Sequence, residues 1–190
     1  MTKDMYKEIE KSLKVLHDGG ILVYPTDTIW GIGCDATDER SVQRVYAIKR
    51  RSESKSLIIL VSDQMMLQDY VEHVPEKIRV FLLQAERPTT VIYRGRDGLA
   101  SNVLAADGTV AIRVVQDDFC RELIRRFGKP IVSTSANFSN SPSPGSFTEI
   151  EESLLKKADY IVNLSRDKKQ VIASQIIKLN DAGEVEFLRK

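Results

Sequence analysis

The run Leu57-Ile58-Ile59-Leu60-Val61 carries no polar break, and it constrains the fold of this chain more than any other segment. A strand so uniformly apolar belongs at the centre of a sheet. Shorter strand-like runs repeat the theme at Ile21–Tyr24, Ile29–Gly33, Thr90–Tyr93, Thr109–Val114 and Ile131-Val132. Tyr160–Asn163, Gln175–Leu179 and Val185–Leu188 finish the chain in the same way. Helical periodicity separates several of these runs. Met5, Ile9, Leu13 and Leu16 recur at helical spacing between Asp4 and Asp18, and Gly19-Gly20 supplies the stop. Asp38 caps a helix from Arg40 to Arg50, with Val42, Val45 and Ile48 inward. Further helices are expected at Asp63–Tyr70, at Glu76–Ala85 and at Asp117–Phe127, the last closed by Gly128. Thr148-Glu149-Ile150-Glu151 has capping-box spacing and predicts a helix to Lys157. Helix-linked strands thus mix with hairpin-like neighbours. The order predicts an α/β fold: one domain over residues 1–190, with a twisted sheet of mixed parallel and antiparallel strands flanked by helices.

Charge and composition narrow the function classes. Lys plus Arg number 28 and Asp plus Glu 27, a net charge of +1, so any nucleic-acid contact must come from a local patch and not from bulk charge. No apolar run approaches the ~18 residues that span a bilayer, and the charged start is no signal core, so a cytoplasmic protein is expected, with no membrane partner. Cys34 and Cys120 make neither a metal spacing nor a disulfide framework. His17 and His73 lie in helical, charged surroundings and read as surface residues. With no histidine base in view, catalysis would work by positioning and electrostatics.

Five elements carry chemistry. Ser133-Thr134-Ser135-Ala136-Asn137 follows the apolar run Pro130-Ile131-Val132, where a buried strand should end. Its short donors and acceptors suit a phosphate, ribose or carboxylate, although the same residues also make a capping turn. Tyr24-Pro25-Thr26-Asp27-Thr28 leaves threonine hydroxyls at a second strand end. Lys49-Arg50-Arg51 with Lys55 closes a helix, where cations also serve the helix dipole. Arg113 lies inside an apolar strand and needs an anion, from the protein or from a ligand. The breaker-rich loop Ser141–Ser146 adjoins the Ser133–Asn137 segment and reads as part of the site. Fixed cations with several hydroxyls fit a polyanion together with a smaller acid, such as a nucleotide triphosphate plus an amino acid. Glycine-rich phosphate loops are absent, Gly31-Ile32-Gly33 being only a fragment.

Tyr24–Thr28, Gly31-Ile32-Gly33-Cys34-Asp35, Lys49-x-Arg51 and Ser133–Asn137 together resemble the YrdC/TsaC family, the threonylcarbamoyl-AMP synthases. The resemblance runs in order from about Gly19 to Arg189 and matches the short, single-domain form. It implies condensation of L-threonine, bicarbonate (or carbon dioxide) and ATP into threonylcarbamoyl-adenylate with release of pyrophosphate. Magnesium would arrive with ATP, and the product would serve threonylcarbamoyl-adenosine modification of tRNA through separate transfer proteins. By the same resemblance Lys49 and Arg51 are catalytic and hold ATP phosphates, while Thr109, Ser135, Asn137, Ser143 and Arg189 complete the ATP site. Thr26, Arg113, Ser133 and Ser174 would hold threonine. Four places depart from the family pattern: Glu86-Arg87-Pro88 replaces Pro-Gly-Pro, Ser52 and Ser56 replace prolines, and Asn140 replaces a glycine. Two rival readings stand beside this one. A double-stranded RNA-binding module would use Lys49, Arg50, Arg51, Lys55, Arg94, Arg96 and Arg113 as a basic patch, and a paralogue could bind nucleotide without catalysis.

Overall fold

A computed structural model describes residues 1–52, 57–169 and 172–190. Among these residues nine strands form one mixed sheet in the order β7-β1-β2-β6-β3-β5-β4-β8-β9. The apolar run is β3 (Ile58–Val61), and it sits in the middle of that order, parallel to β5 (Thr109–Val114) and antiparallel to β6 (Ile131–Ser135). β1 (Leu22–Tyr24) and β2 (Gly31–Gly33) form a hairpin on one side, with the short β7 (Tyr160–Ile161) at the edge. β4 (Thr89–Arg94), β8 (Gln175–Leu179) and β9 (Val185–Arg189) complete the other side.

Because side chains alternate across a strand, each face of this sheet has its own cover. Val23, Ile32, Val132, Ile59, Ile112 and Val91 lie on one face and share a core with α2 (Glu39–Lys49), α3 (Gln64–Tyr70) and α4 (Glu76–Gln84). Leu22, Tyr24, Ile131 and Leu60 lie on the other and pack under α1 (Lys3–His17) and α5 (Asp118–Phe127). These two helices cover only one end of that face. Its other end carries Gly31, Ser133, Ile58 and Arg113, and there the site opens.

Local chemistry accounts for the helix ends. Thr2 Oγ1 accepts from the Met5 amide, while the carboxylates of Asp38 and Asp117 accept from the amides of Arg40 and Cys120. Gly128 closes α5 at φ 72°. The capping box expected at Thr148 does not form. Glu149 instead accepts from the Gly145 amide and the Ser146 hydroxyl, which draws Phe147–Glu149 into a 3-10 turn. The helix that follows, α6, is only Glu152–Leu155.

β6 also corrects an expectation. The strand does not stop at Val132 but continues through Ser133 and Thr134 to Ser135, because β2 and β3 both pair with it. At Gly33 the sheet leaves no room for a side chain, since a Cβ would stand 1.6 Å from the Val132 carbonyl oxygen. Gly33→Ala is therefore expected to cost more than about 3 kcal/mol, read as loss of the cooperative urea transition or as insoluble protein.

Candidate active site

The open end of the sheet face forms a concave pocket of about 180 Å³. Strand alternation places Ser133 and Ser135 of β6, Ile58 of β3, Arg113 of β5 and Ile176 of β8 on this face. Arg51, Ser143, Ser174 and Arg189 close it from the loops and the last strand. Seven of the eleven residues expected at the site therefore line one pocket: Arg51, Arg113, Ser133, Ser135, Ser143, Ser174 and Arg189.

Arg113 is 3% exposed, and its buried charge is paired. Its Nη2 donates to Asp27 Oδ1 at 2.9 Å and to Thr28 Oγ1 at 3.3 Å, while the second Asp27 oxygen accepts from the Gln116 amide. The pairing leaves the Arg113 Nε buried with no hydrogen-bond partner among the described residues. Only Nη2 is engaged by Asp27 and Thr28, and the residue lines the pocket, so the guanidinium is placed to receive a second anion. On the far wall, Arg189 donates to the Ser174 carbonyl at 2.9 Å and to its hydroxyl at 3.2 Å. That hydroxyl also meets Thr90 Oγ1 at 2.8 Å. Burial lowers the pKa of Arg189, and the nearby Arg113 adds to the effect; burial lowers that of Arg51 as well. Three guanidinium groups thus face one pocket, a field that favours polyanions.

Lys49, expected to hold ATP phosphates, neither lines the pocket nor faces solvent. It is 1% exposed, because α2 ends against the Ser135–Asn137 segment. Its ammonium donates to the Ser135 carbonyl, to the Asn137 carbonyl at 2.8 Å and to Asn137 Oδ1 at 3.2 Å. Burial pushes its pKa down to about 7, with Arg51 adding to the shift, while the three acceptors favour the charged form. Asn137 does not line the pocket either. Its Oδ1 accepts from the Ser135 hydroxyl and its Nδ2 donates to the Ser141 carbonyl. Lys49 and Asn137 together hold Ser135 and the Ser141–Ser146 loop in place. The helix-end turn is built from Arg50 at φ 52° and the segment's own turn from Asn140 at φ 70°, the left-handed geometry that an asparagine tolerates.

Thr26 lies beneath the pocket. Its hydroxyl donates to the Ile29 carbonyl and meets Thr28 Oγ1, so Thr28 is the threonine that reaches the lining. Thr109 shares the face of Arg113 from the far end of β5, with its hydroxyl on Asp107. Sequence reasoning missed Asp27 and Thr28 as the partners of Arg113. Both stand in the quoted Tyr24–Thr28 segment, but only the folded chain brings them to β5. Burial of Lys49 and Arg113 removes both from any surface RNA patch, whereas Arg94 and Arg96 are exposed and donate to the Asp107 and Gln68 carbonyls. Lys55 and Ser56 lie outside the described residues. Among those residues no three His, Cys, Asp or Glu side chains gather as a metal cage, and no helix is long and apolar enough to cross a membrane.

Three arginines and several small hydroxyls line this strand-end pocket, a lining that suits an anionic small molecule. The family model Sua5/YciO/YrdC, described as "Telomere recombination", matches residues 14–190, and the chain belongs to that family. A relative from Methanocaldococcus jannaschii is 34% identical over 177 residues, 92% of this chain and 82% of its own. The threonylcarbamoyl-AMP synthase of Xanthomonas axonopodis pv. citri is 29% identical over 185 residues, 96% of this chain and 97% of its own. The structure of P. abyssi Sua5 complexed with L-threonine superposes with a TM-score of 0.86 at 24% identity. It covers all of this chain, which spans 55% of that one, and it establishes the shared fold.

Proposed function

We propose that this chain is a threonylcarbamoyl-AMP synthase, an enzyme of nucleotidyl transfer. The observation that carries the reading is the guanidinium of Arg113, anchored on Asp27 and lining a pocket that also holds Arg51 and Arg189. One end suits a small carboxylate and the other a phosphate chain. In this reading the threonine carboxylate pairs with Arg113, between Ser133, Ser174 and Thr28, with Thr26 fixing Thr28 from below. The threonine amine takes up carbon dioxide with loss of a proton, or bicarbonate with loss of water, to become a carbamate, and a carbamate oxygen then attacks the α-phosphorus of ATP. The bond to the β-phosphate oxygen breaks, and pyrophosphate leaves with the electron pair.

Arg51 neutralises charge on the phosphates, and Ser135, Ser143, Arg189 and Thr109 hold the nucleotide. Lys49 and Asn137 act on the same nucleotide through the segment they tie down. Magnesium enters with ATP as part of the substrate. Such a site works by orienting reactants and by charge placed in advance, which needs no histidine base. Named relatives that span most of the chain support the reading, as does the shared fold of a protein solved with threonine. The adenylate would pass to the proteins that modify tRNA in a cytoplasmic setting.

Labelled ATP tests the reading. Pyrophosphate release is expected to need both threonine and bicarbonate, with serine a poor substitute. Release that ignores threonine removes the assignment and leaves nucleotide binding without this chemistry.

A further inference from the structure

A second cavity, of about 120 Å³, lies on the opposite face of the sheet from the proposed active site. α3 and α4 roof it through Leu67 and Leu82, and β4 and β5 floor it through Val91, Ile112 and Val114. That volume is several times what one water molecule needs. Tyr93 also lines it, 5% exposed, with no hydrogen-bond partner for its hydroxyl among the described residues. Burial raises the pKa of this phenol, so it stays a neutral donor. The hydroxyl is not sealed off, so its partner comes from whatever fills the cavity, and phenylalanine would fill the same space without needing one.

The other end of the cavity is polar. Arg87 and Gln116 stand at its mouth, both exposed. The register that pairs Val91 with Ile112 places both near the start of β4, opposite the Tyr93 end. Arg87 makes no ion pair among the described residues. It is the middle residue of Glu86-Arg87-Pro88, the altered turn that the proposed reaction leaves unexplained. Tyr93 lies four residue steps along the strand from Thr89, about 13 Å at the usual rise. Cation, apolar channel and phenol therefore follow one another along a single cleft.

We propose that this cavity binds a small, elongated carboxylate whose apolar body ends in an oxygen atom. The carboxylate meets Arg87 and Gln116 at the mouth, the body lies between Leu67, Leu82 and Val114, and the terminal oxygen accepts from Tyr93. The site is independent of Arg113 and of the chemistry proposed there.

Methyl-labelled NMR of the full chain, titrated with 3-(4-hydroxyphenyl)propanoate and with 3-phenylpropanoate to about 10 mM, tests it. Saturable shifts at the Leu82, Ile112 and Val114 methyls are expected, with the hydroxylated probe bound about 2- to 10-fold more tightly. Tyr93→Phe should erase that preference while leaving the phenyl probe's affinity unchanged, and Arg87→Gln should weaken both probes. Three outcomes overturn the proposal: no saturable shift, shifts only at Ile58 and Ile176 of the other pocket, or a preference that survives Tyr93→Phe. The first would mean that the phenol is met by water alone.

Discussion

Replacing Arg113 by alanine is expected to lower stability by about 3–5 kcal/mol, because it leaves Asp27 as an uncompensated buried carboxylate. The pair is nearly closed to water, with the Arg113 and Asp27 side chains 4% and 9% exposed. Urea unfolding reads this loss directly. Arg113→Lys separates the fold from the site. Its ammonium can still face Asp27, but it has no second planar donor to offer a ligand. Threonine affinity by calorimetry should then fall roughly 10- to 150-fold, the worth of a hydrogen bond to a charged group. Unchanged affinity in a folded Arg113→Lys protein would mean that this arginine serves Asp27 alone, and the threonine carboxylate would have to be placed elsewhere.

Lys49→Met should have an effect of similar size, with a pH dependence that identifies its cause. In the unfolded chain the lysine titrates at its ordinary 10.5, and folding lowers this to about 7. Below pH 7 both states carry the proton. Between 7 and 10.5 the unfolded state binds more protons, so the lysine's contribution to stability rises with pH across that window. The slope is at most about 1.4 kcal/mol per pH unit. Wild type should therefore gain stability relative to Lys49→Met as urea unfolding is repeated from pH 7 to pH 9. Parallel curves would show that Lys49 titrates near its ordinary value. Adenylate formation should also fall about 100-fold, because the Ser135–Asn137 segment loses the ammonium that positions it. Full turnover in the folded variant would remove Lys49 from the machinery.

Several parts of the protein were legible before the fold was known. Apolar runs mark strands because a central strand is buried on both faces, and Leu57–Val61 duly became the middle of the sheet. The cap at Asp38 was legible because its bond spans two residues. The Thr148 box failed for a similarly local reason, since a competing acceptor at Glu149 found nearer donors. The end of β6 could not be read this way. Ser133 and Ser135 look like loop residues, and only pairing with β2 and β3 keeps them extended.

The sequence by itself determined the class of fold, the family and the stock of cations and hydroxyls. Periodicity, capping and motif order are local properties, and Arg113 in an apolar strand already required an anion. Only the tertiary structure decided what each group does. Asp27 and Arg113 lie 86 positions apart, and Lys49 and Ser135 likewise. Whether a lysine at a helix end faces water or a strand carbonyl depends on what packs there, and spacing along the chain does not encode that. Burial separated the residues that line the pocket from those that hold its lining in place.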